Sequence, residues 1–204
     1  MPSIYDIKPA FQKLLRPLTA GLAAIGVTAN EVTLFAALLS AAAGLTLALW
    51  PANRVPRLII PGVLFARMAL NAIDGMLARE YNMKTSLGAV LNELGDVGAD
   101  AALYLPFALI PGVSAGAVVL CVVLGIISEM AGVIGVQIGA SRRYDGPMGK
   151  SDRAFALGLL ALLLGCGVPS GRWTIGYVGL IDGLLAFTIF NRCRRALEEL
   201  AGKR

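Results

Sequence analysis

Residues 71–100, NAIDGMLAREYNMKTSLGAVLNELGDVGAD, are the stretch of this 204-residue chain that best indicates its fold and function. Within it, apolar sequence surrounds Asp74 and then Glu93, Asp96 and Asp100. A carboxylate in an apolar helix is costly unless a strong partner compensates its charge. The stretch therefore predicts a functional site inside a membrane protein, with a divalent metal as the most obvious partner.

Composition indicates the same setting. The chain is 57% hydrophobic and only 15% charged, with a mean hydropathy of +0.73, whereas soluble domains carry about a quarter charged residues. Histidine is absent, which excludes histidine metal ligands and histidine bases. The net charge of +5 is spread over several short segments without interleaved aromatic residues, so we expect no nucleic-acid partner. These features predict a single all-α membrane domain over residues 1–204.

Six apolar segments approach the length of about 20 residues that a membrane-spanning helix needs. Together they predict a six-helix bundle over residues 32–191, with a basic cytoplasmic tail at 192–204. The predicted spans are 32–50, 58–78, 87–110, 113–140, 154–168 and 173–191.

Basic residues predict the orientation, because cytoplasmic loops retain lysine and arginine. Of the 18 lysine and arginine residues, Arg54, Arg57 and Arg172 fall on one side of the bundle and Arg67 falls within a span. All the others fall on the opposite side. We therefore expect both termini and the acidic stretch to face the cytoplasm, in what is most simply a bacterial inner membrane.

Residues 1–18 predict an amphipathic helix that lies along the membrane surface. Its apolar residues recur every three or four positions, with polar residues between them. The apolar face would comprise Ile4, Ile7, Phe11, Leu14 and Leu18, and the polar face Asp6, Lys8, Gln12, Lys13 and Arg16.

The spacing of the acidic residues places them on facing helices. Asn71 and Asp74 are three residues apart, and Asn92, Asp96 and Asp100 are four apart, so each set lies on one helix face. Oxygen donors of this kind suit Mg²⁺ or Mn²⁺. The candidate metal ligands are Asn71, Asp74, Asn92, Glu93, Asp96 and Asp100.

The stretch resembles the signature of the CDP-alcohol phosphotransferases, D-x2-D-G-x2-A-R-x8-G-x3-D-x3-D. The resemblance implies a six-helix membrane fold, usually homodimeric, that transfers the phosphatidyl group of CDP-diacylglycerol or a related CDP-linked lipid to a small alcohol and releases CMP. It also implies that Asp74 is the second metal aspartate and that Asp96 is the fourth and the general base. The implied nucleotide-binding residues are Asn71, Asp74, Gly75, Ala78, Arg79 and Gly88.

Two positions depart from that signature, because Asn71 and Asn92 stand where it has its first and third aspartates. An asparagine carbonyl can bind a hard cation but brings no negative charge. We therefore hypothesise a remodelled site built from Asp74, Asp96 and Asp100, with Asn71, Asn92 or Glu93 assisting. The alternative is a degenerate site that binds nucleotide or lipid without turnover.

The loop at 141–153 is a candidate acceptor site. Its glycines and cations could hold a phosphate, and its Gly149-Lys150 pair is similar to a segment of the phosphatidylglycerophosphate synthases. A phosphorylated acceptor such as glycerol phosphate or inositol phosphate is therefore expected. The candidate acceptor-binding residues are Arg142, Arg143, Lys150 and Arg153. A small cation-coupled transporter is the competing function, since such proteins also carry acids on several spans.

Overall fold

The computed structural model describes residues 4–202, with side chains from Ala10 onward, and this part of the chain contains helices and no strands. Seven α-helices and one short 3₁₀ turn make up the described part. They are α1 Ile4–Ala24, α2 Ala29–Leu49, α3 Arg54–Glu80, α4 Ser86–Tyr104, the 3₁₀ turn Leu105–Leu109, α5 Ala115–Gln137, α6 Lys150–Gly165 and α7 Arg172–Ala201. The six helices α2 to α7 correspond in order to the six predicted spans.

Polar caps determine where the helices begin. Thr28 starts α2 with a capping box, in which its side chain accepts from the backbone N–H of Glu31 and the Glu31 side chain accepts in return from the N–H of Thr28. Asn53, Thr85 and Ser114 cap α3, α4 and α5 in a similar way. These caps satisfy backbone donors that would otherwise lack partners at each helix start.

Within residues 4–202, four helices are long and apolar enough to cross a membrane, namely α2, α3, α5 and α7. Among the remaining helices, α6 has only 16 residues, and α4 carries Glu93, Asp96 and Asp100. The predicted third span is also shorter than expected, because α4 ends at Tyr104 and Pro106 lies in the 3₁₀ turn that follows. The chain is an integral membrane protein with at least these four candidate spans.

The bundle packs around two apolar clusters. The larger one joins α2 to α7 and the 3₁₀ turn through side chains such as Leu47, Ile60, Phe107 and Leu160. Within a membrane, close van der Waals packing holds helices together, and small residues permit it. Gly44 of α2 is one such residue, since a Cβ there would overlap the backbone carbonyl oxygen of Ala102 in α4.

The smaller cluster holds α1 against α2 and α3. Leu15 and Leu22 of α1 pack on buried Ile73, Met76 and Leu77 of α3. Leu14 and Leu18 are exposed on another face of α1, as expected for residues at a membrane surface. Side chains of Ile4, Asp6, Ile7 and Lys8, which the predicted amphipathic pattern includes, lie outside the described residues.

The segment predicted as a basic tail differs from expectation. Helix α7 continues through Ala201, and its Arg192 and Ala196 are buried. The reason is that α7 packs along α5, so that its last turns extend the bundle instead of leaving it. Lys203 and Arg204 of the predicted tail lie outside the described residues.

Candidate active site

Asp74 is buried in the last third of α3 and is oriented by a threonine from α2. The Thr33 hydroxyl donates to Asp74 Oδ2 at 2.9 Å. Asp74 is also within electrostatic reach of Asp96 on α4 and of Lys150 on α6. Three helices therefore converge on this carboxylate, and its orientation is fixed before any ligand binds.

Asp96 is more accessible than Asp74 and Asp100, with a quarter of its side chain exposed. The Lys150 ammonium lies 2.5 Å from Asp96 Oδ1. The same oxygen lies 3.5 Å from Arg67 Nη2 and 3.4 Å from the Asn71 amide nitrogen. Donors from α3 and α6 thus surround one oxygen of the predicted base.

Asp100, one turn further along α4, has a different environment. It is buried and pairs with two arginines, Arg67 through Oδ1 and Arg153 through Oδ2 at 2.9 Å. Both arginines are themselves almost fully buried, and Arg67 also donates to the main-chain oxygen of Asp96 at 3.0 Å. A charge-assisted pair of this kind is strong and geometrically fixed.

The ion pairs continue from Asp100 toward α5 and α7. Glu129 of α5 receives Arg153 at 3.1 Å and Arg192 at 3.5 Å. Arg142 pairs with Glu93 and reaches Glu129 at 3.9 Å. The ion-pair network as a whole joins four acids, Glu93, Asp96, Asp100 and Glu129, to five cations, Arg67, Arg142, Lys150, Arg153 and Arg192.

This network differs from the predicted arrangement of metal ligands. Among residues 4–202, no group of three or more acidic or cysteine side chains is arranged to hold a metal ion. Asp100 and Glu93 instead face arginines, and Asn92 is exposed on α4. Arg67, Arg153 and Arg142 thus take the positions next to Asp100 and Glu93 that the prediction gave to a metal ion.

A smaller set of donors does fit a single cation. Asp74 and Asp96 supply carboxylates, and the Asn71 side chain lies beside Asp96. The Lys150 ammonium pairs with Asp96 and lies within electrostatic reach of Asp74, so positive charge is already placed next to both carboxylates. Hard oxygen donors of this type suit Mg²⁺ or Mn²⁺.

The predicted nucleotide residues lie around the C-terminal end of α3 and the N-terminal half of α4. The Arg79 guanidinium lies over Gly75, where a Cβ would come within 3.0 Å of Nη2. Gly88 lets α4 approach α2, because a Cβ there would lie 2.6 Å from Asn30 Oδ1. Ala78 is half-buried and packs on the smaller apolar cluster. The small residues of the signature thus allow close approach of neighbouring groups.

The predicted acceptor cations divide into two groups. Lys150 and Arg153 join Asp96 and Asp100, and Arg142 also faces the network. Arg143 points elsewhere, to Asp145 at 2.8 Å and to Glu199 of α7 at 2.9 Å. Arg143 therefore fastens the loop to α7, while the other three cations line the site.

Sequence reasoning did not assign a role in the site to Arg67, Arg192 or Thr33. Arg67 gave a usable signal, since an arginine inside an apolar span requires a buried partner. Arg192 gave no such signal, because it is one of several cations in a basic segment. Thr33 gave none either, because threonine is common near the start of a helix. Their roles depend on which helices become neighbours.

Comparisons with known proteins agree with this architecture. The family model described as CDP-alcohol phosphatidyltransferase matches residues 26–187. The chain is 47% identical to Inner membrane protein YnbA of Escherichia coli over 195 residues, which is 96% of either chain. It is also 32% identical over 99 residues to a phosphatidylinositol phosphate synthase of Mycobacterium marinum, covering 48% of this chain and 40% of that protein.

Solved structures share the fold. A phosphatidylinositol phosphate synthase of Mycobacterium tuberculosis with CDP-DAG bound superposes with a TM-score of 0.75 at 20% identity, covering 90% of this chain and 94% of that one. A second structure of that synthase, in complex with manganese and citrate, gives a TM-score of 0.74 at 20% identity, covering 89% of this chain and 88% of that one.

Proposed function

The chain belongs to the CDP-alcohol phosphatidyltransferase family, and we propose that it transfers the phosphatidyl group of CDP-diacylglycerol to a hydroxyl of a small phosphorylated alcohol. Members of the family are transferases of phospholipid biosynthesis, so this chain is an enzyme. The observation that carries the proposed acceptor is the placement of three cations in one ion-pair network: Lys150 on Asp96, Arg153 on Asp100, and Arg142 on Glu93 and Glu129.

Two observations support CDP-diacylglycerol as donor. The similar synthase of M. tuberculosis was solved with that lipid bound. In this chain, Gly75 and Arg79 follow Asp74 in the last turns of α3, where a guanidinium can pair with a pyrophosphate. The apolar exposed faces of the bundle suit the acyl chains of such a donor.

The side chains suit the following reaction. Asp96 takes the proton of the acceptor hydroxyl, and the hydroxyl oxygen forms a bond to the phosphorus that carries the diacylglycerol. The bond from that phosphorus to the bridging oxygen breaks, and CMP leaves with the electron pair. Positioning and neutralisation of charge are the main contributions a protein can make to such a transfer.

A divalent metal, held by Asp74, Asp96 and Asn71, would neutralise the negative charge that develops on the leaving phosphate. Thr33 keeps Asp74 oriented for this task, and Arg67 holds the main chain at Asp96. The preference between Mg²⁺ and Mn²⁺ is to be measured. We propose no direct ligand role for Asp100 and Glu93, because arginines occupy them.

The acceptor phosphate would bind to the cations of the network. With Asp74 counted, five cations balance five acids, so the attraction for an anionic substrate depends on where Arg142, Lys150 and Arg153 lie and not on an excess of charge. Burial of the arginines strengthens this attraction, because the local dielectric is low. Glycerol phosphate and inositol phosphate are the leading acceptors for this reason.

The membrane arrangement is part of the proposal. We propose that α4 and α6 complete six spans in an inner membrane, with both termini and Asp96 on the cytoplasmic side. The lysine and arginine distribution of the sequence supports this orientation, and the E. coli relative is named as an inner membrane protein. The homodimer that the family resemblance implies stays a prediction.

The test is a transferase assay with matched acceptor pairs. Purified protein receives CDP-diacylglycerol and Mg²⁺ or Mn²⁺, with glycerol 3-phosphate against glycerol, and inositol phosphate against inositol. We expect CMP and a new phospholipid only with a phosphorylated member of a pair. Serine or an unphosphorylated alcohol as the best acceptor would contradict the proposal. Nucleotide binding without CMP release would favour a degenerate enzyme, and solute uptake by proteoliposomes would favour a transporter.

A further inference from the structure

We propose that Lys150 caps the Asp96 carboxylate. The phosphate of the acceptor draws Lys150 away, so that Asp96 can take a proton only when that acceptor is bound. The inference rests on the proposed function, because the role of Asp96 as base belongs to it. It adds a specificity device, whose effect is to keep water from replacing the acceptor.

The first step is the occupancy of Asp96. Its Oδ1 has the Lys150 ammonium at 2.5 Å and lies near the Asn71 amide and the Arg67 guanidinium. A carboxylate oxygen has room for about two strong hydrogen bonds. Lys150 makes the one close contact, and Asn71 and Arg67 crowd the same oxygen from 3.4 and 3.5 Å, so a hydroxyl group or water that approached Oδ1 would have to displace Lys150.

The second step is that Lys150 is the cation able to leave. Its side chain is 31% exposed, whereas that of Arg67 is 4% exposed and is fixed by Asp100 and by the main chain of Asp96. Lys150 is also the first residue of α6, next to the loop. A lysine carries a point charge on a flexible stem, so it can exchange one oxygen for another without moving the backbone.

The third step is the choice of ligand. Lys150 belongs to the ion-pair network, and Arg153 and Arg142 lie in the same network. A phosphate monoester carries more charge than the single carboxylate of Asp96 and can contact several of these cations at once. Water and neutral alcohols bring no charge that could draw Lys150 away.

The consequence concerns a side reaction of the donor. If water served as nucleophile, its oxygen would bond to the phosphorus that carries the diacylglycerol, the bond to the bridging oxygen would break, and phosphatidic acid and CMP would form. The cap keeps water from Oδ1 of Asp96, the oxygen that faces the cations of the network, until an anionic acceptor is present. Exclusion of side reactions with water is a general requirement of group transfer.

The first experiment compares products of Lys150→Met with those of the wild type. We expect Lys150→Met to release about tenfold more phosphatidic acid relative to transfer product, the scale of one charge-assisted hydrogen bond. Lys150→Arg keeps a cation on Asp96 and should retain low hydrolysis. Lys13→Met, which removes an exposed lysine from α1, is the matched control and should behave as wild type. An unchanged product ratio in Lys150→Met overturns the inference.

The second experiment does not depend on turnover. Sulfate carries the charge of a phosphate monoester but has no hydroxyl to react, and Mn²⁺ binding can be followed by electron paramagnetic resonance. If sulfate draws Lys150 from Asp96, it should strengthen Mn²⁺ binding in the wild type about tenfold. Lys150→Met should bind Mn²⁺ tightly with or without sulfate.

The two experiments separate this inference from the proposed function. Coupling between sulfate and Mn²⁺ in a protein that releases no CMP would support the cap and contradict only the proposed reaction. Coupling produced by CDP and not by sulfate would assign the displacement of Lys150 to the donor, and would overturn the inference. Equal Mn²⁺ affinity in all conditions and in Lys150→Met overturns it as well.

Discussion

The turn of α4 around Asp96 and the next turn around Asp100 differ in kind, although four residues separate them. Asp96 is a quarter exposed and pairs with a lysine that can move. Asp100 is buried and pairs with two arginines that are themselves buried and held in place. The last aspartate of the signature, Asp96, has the chemical role in our proposal, whereas the ion pairs of Asp100, one turn beyond the signature, indicate a structural role. Substitutions in the two turns and in their partners test this division.

Asp96→Asn should have the largest effect on activity. The amide keeps the shape of the side chain but cannot take a proton, so we expect transfer to fall by about 10² to 10⁴-fold, the contribution of a general base. Thermal unfolding in detergent should change little, because Asp96 is partly exposed. CMP release and phospholipid product measure the first effect, and transfer at the wild-type rate would remove Asp96 from the mechanism.

Asp100→Asn should have the largest effect on stability. It leaves Arg67 and Arg153 buried beside a neutral amide, and the loss of one partner in a buried pair costs about 3–5 kcal/mol. The free energy of unfolding, followed in detergent with a denaturant, measures this change.

Asp145→Asn is the matched control for that substitution. It breaks the pair with Arg143 at the surface, which should cost at most about 1 kcal/mol. If Asp100→Asn lowered the free energy of unfolding no more than Asp145→Asn does, the structural role of Asp100 would be rejected.

The fold was largely predictable from sequence, because hydropathy and helix breakers are local signals. The six predicted segments correspond to α2 to α7, and the sequence alone indicates Asp74, Asp96 and Lys150 as site residues. It does not indicate their ion-pair partners, since a pair such as Arg153 with Asp100 forms only when α4 and α6 meet. Local sequence carries no information on which cation reaches which acid.

The end of α7 shows the same limit. A run of arginines after an apolar span normally marks a tail in the cytoplasm. Arg192, however, continues the helix and is buried against Glu129 and the main-chain oxygen of Ser128. Sequence gives the charge of such a residue, whereas its burial follows from the packing of α7 on α5.

Arg153→Lys should have a moderate effect on acceptor binding. An ammonium cannot reach Asp100, Glu129 and a phosphate together, as the planar guanidinium can. We expect the KM for a phosphorylated acceptor to rise about tenfold, with a smaller fall in kcat. Arg143→Lys, in the cation that faces Glu199, is the control and should leave this KM unchanged. A change confined to kcat would indicate that Arg153 acts only through Asp100.

Asn71→Asp should produce the smallest effect on transfer and a clear effect on metal binding. Because the Asn71 side chain lies 3.4 Å from Asp96 Oδ1, a carboxylate there would face Asp96 and restore the charge that the signature has and this chain lacks. We expect Mn²⁺ affinity to rise about tenfold, since ligand charge governs the binding of hard cations. Asn92→Asp alters a side chain that is exposed on α4 and should change the affinity less. Titration of both variants with Mn²⁺ compares them directly. A larger effect at position 92 would mean that the Asn92 side chain faces the site. The chemical part of α4 would then include the turn around Asn92 as well as the turn around Asp96.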